Sequence, residues 1–107
     1  MPSTTENLPD LAGMAAKIVA AFQPEKILLF GSRARGQAHA ESDVDLCVVM
    51  QSTLPPMQRA AVVLALFHPR RWPLDIIVYT PEETQRLAGS SSSLWNAILR
   101  EGKVLHG

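Results

Sequence analysis

The chain has 107 residues, a formal net charge of zero, 47% hydrophobic and 19% charged residues, and one cysteine. That length fits a single domain, 1–107, and a chain of this size buries roughly two-thirds of its unfolded surface, enough for a core without disulfide or metal staples. Zero net charge argues against strong nucleic-acid binding through bulk electrostatics, and a lone Cys47, unable to bridge within the chain, points to a reducing, cytoplasmic setting.

Residues 1–7 are polar and read as a frayed tail; no basic start leads into an apolar run, so no signal peptide is expected. From Leu8 to Phe22 apolar residues recur at steps of three and four, one stripe of an amphipathic helix that Gln23 and Pro24 end. Ile27 to Phe30 is a short apolar run stopped by Gly31, a buried strand. Ser32 to Gly36 reads as a turn leading into a brief helix, and 37–42 as a polar loop. Asp43 to Met50 is a second strand rich in β-branched residues. The uncharged run that opens at Leu46 contains two prolines and falls well short of the roughly 20 apolar residues of a membrane span.

After a turn-rich connector, Met57 to Phe67 carries strong helix formers and is apolar on most sides, which predicts a largely covered helix. His68 to Pro73 is a basic loop, and Leu74 to Tyr79 a third strand. Pro81 suits the first turn of a helix capped by Thr80, with Glu82 and Glu83 at the positive end of its dipole. Ser90 to Ser93 is a polar break. Leu94 to Arg100 is a last helical stretch closed by Gly102, and Lys103 to Leu105 adds a short edge strand. The order predicts an α/β (α+β) domain with helices packed on a small sheet.

Four aspartates occur in the chain, and three of them, Asp43, Asp45 and Asp75, fall in or at the mouth of predicted strands. Aspartate is depleted in strands, and an unpaired carboxylate in apolar surroundings is costly. Side chains alternate along a strand, so Asp43 and Asp45 share a face, about 6.5 Å apart, while Val44, Leu46 and Val48 turn to the core. Neighbouring strands would bring all three acids together, and their mutual repulsion asks for positive charge. Arg33 and Arg35 are candidates; Mg²⁺ or Mn²⁺ suits hard oxygen ligands better. The bland alternative is a loop cap at Asp43 and a solvated edge at Asp75. Upstream, Gly31 lets the backbone turn sharply behind the first strand, and Ser32 adds a hydroxyl donor beside Arg33 and Arg35. Together they form a cradle for a triphosphate.

Gly31-Ser32, ten residues, then Asp43-Val44-Asp45 is similar to the G-S-x10-D-x-D signature of the DNA polymerase β-like nucleotidyltransferase superfamily. The string GSRARGQAHAESDVDLCVV resembles its minimal nucleotidyltransferase (MNT) branch. The likeness runs from about Ile27 to Tyr79, with a family-like WNAILREGKVL near the C-terminus. The resemblance implies a polymerase β-like fold with a small mixed sheet. It further implies Gly31 and Ser32 on the triphosphate of ATP or another NTP, with Arg33 and Arg35 contacting phosphate or acceptor. Asp43 and Asp45 would hold two Mg²⁺ ions, and Asp75 would bind the catalytic metal and help activate an acceptor hydroxyl. It also implies pairing with a HEPN-domain ribonuclease toxin, for which such proteins serve as antitoxin, in some cases by transferring AMP to it.

Because the core uses nearly the whole chain, the acceptor is expected on a separate protein or through homo- or hetero-oligomers. The alternatives are a non-catalytic antitoxin that works by binding and a small-molecule, aminoglycoside-type transferase. Cys47 shares the face of Asp43 and Asp45 but reads as a buried structural thiol. His39 reads as a solvated loop residue, and His68 and His106 have no zinc-spaced partners. Arg70 and Arg71 read as surface charges or a partner contact, and Trp72 and Trp95 as core or interface anchors.

Overall fold

The computed structural model describes residues 10–36, 43–69 and 72–107. Expectations for the 1–7 tail, the 37–42 loop with His39, and Arg70 and Arg71 fall outside those residues. Among the described residues there are four helices and four strands in the order α1 (Leu11–Phe22), β1 (Lys26–Phe30), β2 (Val44–Val49), α2 (Pro56–Leu64), β3 (Leu74–Tyr79), α3 (Pro81–Ala88), α4 (Leu94–Glu101) and β4 (Lys103–His106). The strands form one mixed sheet ordered β3-β2-β1-β4, with β1 antiparallel to both β2 and β4 and β2 parallel to β3.

Alternation along the strands divides the interior into two layers. Ile27, Leu29, Val44, Leu46, Val48, Ile76 and Val78 pack with Ile18 of α1 and Val63 of α2. The opposite face carries Leu28, Cys47 and Val49 against Trp95 and Ile98 of α4, with Leu87 of α3 beside them. Tyr79 meets Trp95 edge-on, ring centroids 5.8 Å apart. The central strands are therefore covered on both sides, which is why they read as nearly continuous apolar runs.

Helix ends follow local chemistry. Asp10 caps α1 by accepting the Gly13 N–H at 3.0 Å, so it precedes the helix instead of lying within it. Thr80 and Glu83 form a reciprocal capping box at α3, and Ser93 caps α4 through the Asn96 N–H at 3.2 Å. Among the described residues no helix is long and apolar enough to cross a membrane.

Two further expectations change. The brief helix after Gly31 is not present up to Gly36: residues 32–36 are turns closed by Arg35 N–H to Gly31 O at 3.2 Å and Gly36 N–H to Arg33 O at 3.4 Å. Gly36 sits at φ +73°, a left-handed conformation that stops a helix. Helix α2 is not largely covered. Only Arg59 and Val63 are buried on it, while Met57 is 87% exposed and Val62 also faces outward. It lies against β3, an edge strand of the sheet.

Cys47 is fully buried, and burial pushes its thiol up to about 12. Iodoacetamide at pH 8 is expected to leave Cys47 unmodified in the native protein and to alkylate it fully in denaturant. Rapid native labelling, read by intact mass, would contradict this burial.

Candidate active site

The carboxylates meet because of strand register. Parallel pairing of β2 with β3 sets Asp45 directly beside Asp75, and antiparallel pairing of β1 with β2 sets Phe30 beside Asp45. Asp43 stands one residue before β2 begins. Each of the three acids offers an oxygen, and these oxygens lie within 4.8 Å of one another. Asp43 and Asp75 are exposed; Asp45 is half-buried.

Burial raises the Asp45 carboxyl above its ordinary value, the charges of Asp75 and Asp43 push it further, and Arg35 opposes them. Asp45 and Asp75 are close enough to share a hydrogen bond when one is protonated. Arg35 also reaches Glu101 at the end of α4, 3.9 Å away, an exposed pair of little energetic weight. The sequence offered no signal for Glu101, since only the packing of α4 on the sheet brings it to the turn. Ser32 and Arg33 are half-buried in the turn that follows Gly31, and Ala34 anchors that turn in the core.

Gly31 is required twice. Its φ is +75°, and a Cβ there would collide with Oδ2 of Asp45. The absence of a side chain is what lets the turn close over the central carboxylate. The left-handed conformation alone costs an alanine about 1–2 kcal/mol. Displacing Asp45 should also weaken divalent-ion binding, where misplaced ligand support typically costs 10–100-fold. Gly31→Ala is therefore expected to lower Mn²⁺ affinity, measured by titration calorimetry, by about tenfold or more. Unchanged affinity would place Gly31 outside the site.

The donor set fits a hard cation. It consists solely of carboxylate oxygens, two of them open to solvent, in a cluster whose like charges raise the central acid. Such acids on neighbouring strands are suited to hold a divalent cation.

Comparison with known proteins agrees with this geometry. A family model described as "Nucleotidyltransferase domain" matches residues 14–105. The crystal structure of a toxin–antitoxin with AMP-PNP is similar to this chain at 26% identity and a TM-score of 0.63, covering 90% of this chain and 73% of that one. A Sulfolobus solfataricus structure assigned to the nucleotidyltransferases matches at 23% identity and a TM-score of 0.60, covering 97% of this chain and 86% of that one, a likeness of fold. No curated protein matches the chain significantly.

Proposed function

The chain belongs to the nucleotidyltransferase domain family, and on that premise we propose that it transfers a nucleoside monophosphate, AMP from ATP, to a hydroxyl of a partner protein. The observation that carries this reading is the convergence of Asp43, Asp45 and Asp75 beneath the Gly31 turn. Divalent ions held by the three acids would favour the attacking alkoxide and neutralise the departing pyrophosphate. Gly31 and Ser32 bind the triphosphate with turn amides and the serine hydroxyl, and Arg33 and Arg35 add positive charge beside it. Asp75, exposed at the outer strand, takes the proton of the acceptor hydroxyl. The acceptor oxygen forms a bond to the α-phosphorus, the bond from that phosphorus to the bridging oxygen breaks, and pyrophosphate leaves.

The likeness to a toxin–antitoxin that holds AMP-PNP supports both adenine as the base and a toxin as the partner. With the resemblance to minimal nucleotidyltransferases, it favours a HEPN-domain ribonuclease as the acceptor and an antitoxin role for this chain. Asp43 and Asp75 are exposed, which favours a protein acceptor over an aminoglycoside.

The test uses ATP labelled at the α-phosphate, Mg²⁺ and the protein encoded beside this one. The neighbour is expected to gain label, and the Asp43→Ala/Asp45→Ala variant to give none. Label at the wild-type level in that variant would end the enzymatic reading. Neutralisation of the neighbour without label would favour an antitoxin acting by contact alone.

A further inference from the structure

One cation at the Gly31 turn serves two anions. Arg35 acts on Asp45, opposing the charges of Asp75 and Asp43, and its Nη1 also stands 3.9 Å from Oε2 of Glu101. Both ends of that second contact are held by their backbones. Arg35 belongs to the turn behind β1: its N–H donates to Gly31 O at 3.2 Å, and its neighbour Ala34 is buried in the core. Glu101 is the last residue of α4, and Ile98, one turn back, is buried against Leu28 and Cys47 of the sheet.

Gly102 then presses the chain onto β1. Its N–H donates to Ile98 O at 2.7 Å, and a Cβ there would collide with Ile98 O and stand 3.0 Å from Leu29 O. The next residue, Lys103, pairs with Leu29 itself. Glu101 is thereby fixed beside the end of β1, where Gly31 opens the turn two residues beyond Leu29.

Three acids compete with Glu101 for this arginine. Asp43, Asp45 and Asp75 gather their oxygens within 4.8 Å of one another, and a long, flexible guanidinium is drawn to such a cluster by its charge. Settled there, it would occupy the oxygens that divalent ions need and turn away from a phosphate at the turn. Glu101 offers a competing anion from α4. The pair is exposed, 42% and 50% on its two side chains, so it adds little to stability. A contact this weak also lets the guanidinium pass to a stronger anion when one arrives.

We propose that Glu101 is a positioning residue of the nucleotide site: it keeps the Arg35 guanidinium at the Gly31 turn, and from closing onto the three acids, until a triphosphate takes it. This inference rests on the reading that the turn binds a triphosphate, and it adds the end of α4 to that site. A bystander carboxylate and a positioning one differ in sign. Removing a bystander's charge beside a polyanion tightens binding; removing the residue that positions Arg35 weakens it.

Titration calorimetry in Mn²⁺, with an ATP analogue bridged by a methylene between its α and β phosphorus atoms, reads binding without acceptor or transfer. Glu101→Gln, an isosteric change at an exposed position, is expected to melt near wild type and to weaken the analogue about threefold, within the range of exposed ion pairs. In the Arg35→Gln background the same substitution is expected not to weaken it. Tighter or unchanged binding in Glu101→Gln would overturn the proposal. So would equal weakening in both backgrounds, which is what a merely structural role predicts. The two readings fail separately. If no acceptor is ever labelled but the Arg35 dependence holds, the transfer falls and the role of Glu101 stands. If the wild-type chain binds no analogue, the triphosphate reading ends and this inference with it.

Discussion

Asp45→Asn is expected to abolish nucleotidyl transfer while making the metal-free protein more stable. Loss of one charge-bearing group aimed at a developing transition state costs on the order of 100–1,000-fold in rate. Asp45 is the half-buried member of the trio, repelled by both others and placed against the Gly31 turn, which places it at the upper end. The stability effect has the opposite sign. Burial and the neighbouring Asp75 and Asp43 raise the Asp45 carboxyl above the ordinary 3.8. A raised carboxyl contributes stability that is fully present below its unfolded value and is lost as pH rises through the folded one. At neutral pH the ionised Asp45 is therefore a net liability of the empty site, and asparagine removes it. Melting in EDTA should show the variant above wild type at pH 7, with the gap closing toward pH 3. Added Mg²⁺ should raise the wild-type melting temperature and barely move the variant. A variant that melts below wild type in EDTA at pH 7 would show that the acids are not in mutual strain.

Arg59→Met is expected to be the most damaging change far from the carboxylates. Arg59 is 8% exposed, and its guanidinium ties three elements together. Nε donates to Leu54 O at 2.6 Å, and Nη1 to Val78 O on β3 at 3.4 Å and to Glu83 Oε1 of α3 at 2.7 Å. The same glutamate oxygen accepts the Thr80 N–H at 2.8 Å, so the ion pair and the α3 cap share one atom. Methionine keeps the stem's packing but leaves the carboxylate and two carbonyls without their donor. Hydrogen bonds to charged groups are worth roughly 1.5–3 kcal/mol each when lost from buried positions. With Glu83 part-exposed, a total of about 2–3 kcal/mol follows, on the order of 10 °C in melting temperature for a domain of this size.

The pH dependence of this pair runs opposite to that of Asp45. Burial pushes Glu83 up, but the Thr80 amide and the Arg59 guanidinium outweigh it and hold the carboxyl below the ordinary 4.5. That stabilisation is present above the unfolded value and is lost as pH falls through the lowered folded one. The difference in melting temperature between wild type and Arg59→Met should therefore shrink on acidification. A constant gap from pH 7 to pH 3 would assign the loss to packing alone.

Much of the site was legible from local chemistry. Aspartates at alternate positions in an apolar strand must share a face, whatever the strand packs against, and a glycine that ends a strand before a serine marks a tight turn. The alternation of Val44, Leu46 and Val48 with Asp45 and Cys47 likewise assigned each side chain to its layer, and the packing follows it. The helix cap at Thr80 was equally local. Such features depend on periods of two and on single turns of chain, which neighbouring residues alone dictate.

The rest needed the assembled chain. Alternation says which face Asp75 occupies along β3 but not that β3 pairs with β2, nor that their register sets Asp75 beside Asp45. The need for glycine at Gly31 comes as much from Asp45 as from the turn. Helix α2 looked covered because its composition is apolar, yet it lies at the sheet's edge with one face open, and its buried polar residue, Arg59, is held by groups distant in sequence. Strand order, register and edge position are contacts between segments far apart along the chain. A side-chain pattern records how a segment wants to be buried, not which partner buries it.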